Sequence, residues 1–284
     1  MKYHQKPNIY ANQIELKVED LQRSLDFYQR IIGFKVIDKT DQRAVLSADG
    51  IQPLVTIEQP QDIQKKEPRR TGLYHYAILL PSRADLASMI RHFIKTGYPL
   101  QGASDHDVSE ALYLSDPDGN GIEIYSDRPS SAWEWRGNEI VMGTNALDVQ
   151  SIMEEWDGKP WAGLPQGTIM GHIHLHVNSI EKAKEFYCGG LGFEVVTSYG
   201  KQALFISTGK YHHHIGLNIW NGTNASPPSD NSVGMSSFTL VLPSEEFLQR
   251  TINQLERIGS SIISEGGALA VLDPSGSKIK LIVE

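Results

Sequence analysis

One set of landmarks recurs along this chain at fixed offsets, and it narrows the architectures open to the sequence. Val18, Phe27-Tyr28 and Gly33-Phe34 return in the same order as Val177, Phe186-Tyr187 and Gly192-Phe193, all displaced by one constant offset. Pro81-Ser82 and Gly97 return as Pro243-Ser244 and Gly259 at a second constant offset, and Asp116-Pro117 returns as Asp273-Pro274. Two unrelated α+β domains would not share ordered landmarks, whereas internal duplication does.

The repeated unit reads as strand, helix, then three strands. Residues 14–18 alternate as a strand. Asp20 caps a helix with Leu21, Leu25, Tyr28 and Ile32 on one face, and Gly33 ends it. Phe34 opens the next strand, and short strands follow near 44–46 and 54–57. After the Pro- and charge-rich stretch 60–70, His75 opens a strand through Leu80. Pro81-Ser82 starts a helix to about Thr96, Gly97 stops it, and the strand Leu112-Tyr113-Leu114 leads through the turn Asp116-Asn120 to the closing strand Ile122-Tyr125. The third unit begins at Gly171 and the fourth near Ser237. The expected fold is therefore α+β, with four βαβββ modules. Along the chain it divides into a first domain, 9–127 (modules one and two), a connector, 128–168, and a second domain, 169–284 (modules three and four).

The connector holds Trp133, Trp135, Trp156 and Trp161, four of the five tryptophans. That is too aromatic for a flexible tether. Asp148 is placed to cap a short helix with Val149, Ile152, Met153 and Trp156 on one face. The connector is expected to pack on the modules and to line either a pocket or an oligomer interface.

A formal net charge of −8 argues against nucleic acid or an anionic membrane as the main partner. No apolar run is long enough to span a bilayer, and Met1-Lys-Tyr-His-Gln-Lys lacks the apolar core of a signal peptide. The single cysteine, Cys188, has no internal disulfide partner and reads as a buried, inert thiol. These features fit a reducing cytoplasm.

Chemistry concentrates in Gly171-His172-Ile-His174-Leu-His176-Val177, where imidazole and apolar side chains alternate with period two. Such a strand has one face for the core and one face of three imidazoles. A second run, Tyr211-His212-His213-His214-Ile215-Gly216-Leu217-Asn218, puts His212, His214, Gly216 and Asn218 on one face if the alternation is regular.

These residues, with Val18-Glu-Asp20-Leu through Phe27-Tyr28 and Asp116-Pro-Asp-Gly-Asn-Gly-Ile-Glu123-Ile-Tyr125, resemble the vicinal oxygen chelate superfamily of glyoxalase I, bleomycin-resistance proteins and type I extradiol dioxygenases. Within it, the two histidine runs are most similar to Bacillus-type catechol 2,3-dioxygenases. The resemblance covers nearly all the chain outside the connector. It implies that modules pair into two cup-shaped half-barrels, with metal ligands at the start of a module's first strand and on its last strand. The first-strand position falls on Gln13, His75, His172 and Ser237. The last-strand position falls on Glu123 in module two and Lys280 in module four. The implied metal ligands are therefore His75, Glu123 and His172, a facial triad suited to Fe(II), with Mn(II), Zn(II) or Ni(II) as alternatives. For one ion to bind all three, modules two and three must share a cup.

The resemblance further implies extradiol cleavage of a small aromatic diol by O2 to a muconic-semialdehyde-type product. Tyr113, ten residues before Glu123, takes the position of the catalytic tyrosine. His214 is the candidate acid–base, with a one-residue ambiguity toward His213. His174, His176 and Asn218 are candidates for orienting the ligands, with a half-exposed bystander role as the equal alternative for His174 and His176, while Asp105 and His106 read as pocket rim or solvated loop. A glyoxalase-like lyase or isomerase is the rival enzyme. It usually needs a second carboxylate on module three's last strand, where no Asp or Glu falls. A metal-free protein sequestering small aromatics is the rival binder. Enzymes of this type are often dimers or larger, so a homo-oligomer is compatible with the sequence.

Overall fold

The computed structural model describes residues 2–265 and 268–284. Its strands form two curled eight-stranded sheets and one small two-stranded sheet. In one large sheet the order is Glu194–Tyr199, Ala203–Ser207, Ile215–Asn218, Ile169–His176, Gly72–Leu79, Gly121–Asp127, Ser109–Ser115, Gly102–Asp105. This sheet joins module three to module two. The other joins module four to module one through the pair Gly234–Leu242 and Tyr10–Lys17. Each half of the chain thus gives one module to each sheet, so 9–127 and 169–284 interlock instead of forming a cup apiece.

Within a module the first and last strands run parallel, and between modules the two first strands run antiparallel. The long helices follow their sequence signals. Ser82 caps Arg83–Thr96 by accepting from Asp85 N, and Gly97 ends it at φ 67°. Ser244 caps Glu245–Arg257 in the same way, through Phe247 N.

The first helix of modules one and three differs from the single α-helix read from the sequence. Leu21–Phe27 and Ile180–Lys184 are α-helical, but Tyr28–Ile32 and Glu185–Gly190 widen to π-helix. In module one both Gly33 N and Phe34 N converge on the Tyr28 carbonyl, and Gly33 takes the left-handed conformation that this closure needs.

The repeated landmarks also link modules along the chain. Tyr28 donates its hydroxyl proton to Asp116 Oδ2 at 2.9 Å, and Tyr187 donates to Asp273 Oδ2 at 3.0 Å. Each aspartate accepts two backbone N–H groups of its own turn through Oδ1. A buried carboxylate is thereby satisfied, and successive modules are joined although they lie in different sheets.

The connector packs on the sheet of modules two and three. Trp133 is buried and donates to the Val108 carbonyl, and Trp161 stacks on His92 at 4.7 Å. The short helix Val149–Glu154 is capped by Asp148. Its next turn holds Glu155, which receives Arg83, whose guanidinium also binds the buried Glu110.

Candidate metal centre

The centre of the module two–three sheet places three donors in one row and its neighbour. Across three adjacent strands, His172 lies opposite Ala77 and Ala77 opposite Glu123. His75 is two residues before Ala77, so it shares that face. Ala77 is fully buried, and its methyl group is too small to separate the long side chains that flank it. They meet above it: His172 Nε2 is 3.1 Å from Glu123 Oε2, His75 Nε2 is 3.0 Å from the same oxygen, and the two nitrogens are 3.4 Å apart. His75, Glu123 and His172 are all buried, at 6%, 3% and 1% exposure.

Two glycines make this approach feasible. A Cβ on Gly121 would lie 2.2 Å from the Tyr74 carbonyl, and one on Gly171 would lie 2.0 Å from the Tyr125 hydroxyl oxygen. The strands bearing Glu123 and His172 therefore need glycine just before their ligand-type residues.

The donor set fits a divalent cation. Three ligands about 2.1 Å from one ion and at right angles to one another stand about 3.0 Å apart, close to the separations found. Burial opposes ionisation of Glu123, but His172 and His75 more than offset it and hold the carboxyl well below the usual carboxylate range. Burial lowers His172 to about 4, with Glu123 opposing. At neutral pH the group therefore offers one carboxylate and a neutral imidazole, the protonation states a metal requires. Among the described residues this is the one cluster of three such donors within 4.8 Å of one another.

The corresponding place in the other sheet is filled. Lys280 lies 2.7 and 2.8 Å from the two Glu15 oxygens, and Ser237 donates to Glu15 at 2.9 Å. Gln13 is engaged by Thr56. An ammonium stands where the first cup has a carboxylate.

Around the donors, His174 stands directly opposite His75, with ring centroids 4.9 Å apart. Its ring rests on Gly216, where a Cβ would come within 2.8 Å. Asn218 donates to His174 Nε2 and accepts from His176 Nδ1, at 3.0 and 2.7 Å. One amide therefore orients both imidazoles, and neither approaches the donor triad as a fourth ligand.

The histidine run is where alternation misleads. The strand begins only at Ile215, so the pattern cannot be extended back through 212–214. His214, expected to face the cup, turns away from it. Its Nε2 donates to the Tyr3 carbonyl, and Thr208 N donates to its Nδ1. His213 faces the cavity instead, its ring 4.1 Å from that of His172. Its Nδ1 is 2.8 Å from His212 Nδ1, and His212 Nε2 is 2.9 Å from Asp127. With Asp127 accepting from His212, and His212 accepting from His213, the free lone pair of His213 is on Nε2. Burial keeps the imidazoles of His213 and His214 well below their usual pKa.

Tyr113 lies directly opposite Glu123 in the antiparallel pair, which explains their ten-residue spacing across the Asp116 turn. It donates to His106 Nε2 at 2.6 Å, while His106 Nδ1 donates to the Gly143 carbonyl at 2.7 Å. Burial, aided by the Glu123 charge, pushes the Tyr113 hydroxyl well above its usual pKa, so it stays protonated. His106 is thus a structured part of the wall. Asp105 is instead paired with Arg128 at 2.6 Å. Burial pushes the Cys188 thiol up to about 11, leaving it unreactive.

These groups open into a cavity of about 540 Å³ that includes His75, Glu123, Tyr113, His174 and His213 in its lining. The connector supplies Met142, Thr144, Asn145 and Ala146 to the wall. Nothing in the sequence marked those positions beyond the aromatic content of their segment.

A family model for the glyoxalase/bleomycin resistance protein/dioxygenase superfamily matches residues 10–124 and 169–281. Catechol-2,3-dioxygenase of Bacillus subtilis (strain 168) is 47% identical over 273 residues, covering 95% of each chain. Lactoylglutathione lyase of Pseudomonas putida is 26% identical over 152 residues, 42% of this chain and 85% of its own length. Among solved structures, glyoxalase I from Zea mays is alike in fold, with a TM-score of 0.61 at 15% identity over 97% of this chain and 92% of that one.

Proposed function

The chain belongs to the glyoxalase/bleomycin resistance protein/dioxygenase superfamily and is a catechol 2,3-dioxygenase-like enzyme, and we propose that it uses Fe(II) and O2 to cleave catechol-type diols beside the two hydroxyls. The product is a muconic-semialdehyde-type compound. One observation carries this reading: two imidazole nitrogens and a carboxylate oxygen, from three strands of two modules, lie 3.0 to 3.4 Å from one another.

In this reading His75, Glu123 and His172 hold the iron. When bound, Fe(II) supplies a Lewis acid that lowers the pKa of the diol and a redox centre that couples it to O2. The chain supplies positioning and proton transfer. His213 presents an unprotonated Nε2 beside the triad, as a general base needs. Tyr113 keeps its proton and directs it to His106 Nε2, so its oxygen offers lone pairs to a diol hydroxyl. His174, oriented by Asn218, braces the ring of His75.

A lyase or isomerase of the glyoxalase type is disfavoured by the last strand of module three, where Gly216 lies under His174 and Asn218 bridges two imidazoles. No carboxylate is available there. A metal-free binder is disfavoured because an ionised Glu123 would be buried without a cation.

Anaerobic reconstitution with Fe(II), followed by catechol and oxygen, tests the proposal. A yellow ring-fission product with one O2 consumed per catechol is expected. Oxygen-independent turnover, or no product from iron-loaded protein, contradicts it.

A further inference from the structure

The cavity onto which His75 and Glu123 open says what else the substrate carries. Its volume, about 540 Å³, lies within the roughly 300–1,000 Å³ typical of sites for drug-sized ligands, so it has room beyond one dihydroxylated ring. No lysine or arginine lines it among the described residues. Its ionisable groups are histidines, tyrosines and the Glu123 carboxylate. A groove sharing Tyr74 as a wall does hold Lys66, Arg69 and Arg70, but none of the three lines this cavity, Lys66 donates to the Gly119 carbonyl and Arg70 is paired with Glu67. A carboxylate on the bound ring would therefore lose its water without gaining a cation.

The walls favour the opposite chemistry. Tyr74, Tyr199 and Trp220 are the large aromatics left most open to solvent, at 40, 43 and 50% exposure, and all three line this one cavity. Tyr74 and Trp220 meet edge to face at 5.2 Å, and Met142 and Phe205 continue the apolar surface. Exposed aromatic surface gathered at one mouth marks a binding surface, and an apolar group laid against it is removed from water.

We infer that the substrate is an uncharged catechol bearing an apolar alkyl or aryl substituent, which is received by Tyr74, Tyr199 and Trp220, and that diols carrying a carboxylate are rejected. This rests on the ring-cleavage reading above.

The test compares isosteric pairs on the iron-reconstituted enzyme: 4-isobutylcatechol against (3,4-dihydroxyphenyl)acetate, and 3-isobutylcatechol against (2,3-dihydroxyphenyl)acetate. In the better-accepted series, kcat/KM for the alkyl diol exceeds that for its acetate partner by about 100-fold or more, as rejection of an unpaired charge implies. It also exceeds that for catechol itself, by roughly fourfold for each methylene buried. Equal or better use of the acetates overturns the inference while leaving ring cleavage intact. Equilibrium dialysis of the same four diols against the iron-loaded enzyme without oxygen is the second arm. If no diol is cleaved but the alkyl diols still bind more tightly, the ring-cleavage reading fails and the ligand class stands. In a Trp220→Ala variant the alkyl-to-acetate ratio falls several-fold, and an unchanged ratio removes Trp220 from the assignment.

Discussion

His4 offers a quantitative handle on how the triad's scaffold is held. Its ring lies edge-on to Tyr211 and His214, at centroid distances of 4.8 and 5.2 Å, and Nε2 donates to the Gly171 carbonyl at 2.7 Å. That carbonyl belongs to the residue before His172. Burial lowers His4 from 6.5 to about 4, with the Gly171 carbonyl opposing. Because the folded pKa lies below the unfolded one, the unfolded chain takes up the proton first. Stability from this group is therefore complete above the unfolded pKa and is lost as pH falls toward 4. Between pH about 7.5 and about 5, the linkage relation gives a loss of about 2 kcal/mol. Part of the residue reaches solvent, which discounts the figure to about 1–2 kcal/mol. His4→Gln keeps a donor for Gly171 but cannot titrate. Urea denaturation of wild type and variant at both pH values, in chelator, isolates the effect, since the other histidines cancel. The wild type should lose about 1–2 kcal/mol more than the variant on acidification. Parallel pH dependence of the two proteins refutes the reasoning.

Three other substitutions probe different links of the account. His213→Gln should lower kcat by about 10²–10⁴-fold, the range for loss of a general base, whereas His214→Gln should change kcat by less than about tenfold and register chiefly in thermal stability. Gly171→Ala should destabilise the fold by about 1–3 kcal/mol in chemical denaturation, because Tyr125 is buried and bonded to Tyr211 and cannot yield the space without strain. Glu110→Gln should cost about 2 kcal/mol by the same measurement, since the buried carboxylate accepts from both Arg83 and Arg128 and solvent screens only the guanidinium side.

Much of the architecture could be read from local signals. Asp20, Ser82, Asp148 and Ser244 all cap helices, and the recurring Tyr28, Asp116, Tyr187 and Asp273 turned out to be bonded pairs. The ten-residue gap from Tyr113 to Glu123 became a cross-strand pair because a tight turn joins two regular strands. Alternation failed at 212–214 because it presumes a strand already under way, and the strand starts at Ile215. The π-helical turns were invisible because their side-chain pattern over one turn does not differ from that of an α-helix. The roles of His106 and of the 142–146 wall depend on the connector lying against an edge strand, where Asp105 and Asn145 exchange backbone hydrogen bonds. No local pattern encodes that contact.

The central claim is that His75, Glu123 and His172 act together on a single ion, although 97 residues separate the two histidines. Anaerobic Fe(II) titration of the chelator-stripped protein, read by calorimetry and checked by elemental analysis, tests it most directly. One iron per chain should bind to the wild type, and His75→Ala, His172→Ala and Glu123→Gln should each weaken it by more than about 100-fold while near-native circular dichroism is kept. Wild-type affinity retained in any one of the three, or no iron bound by the unaltered chain, would contradict the account.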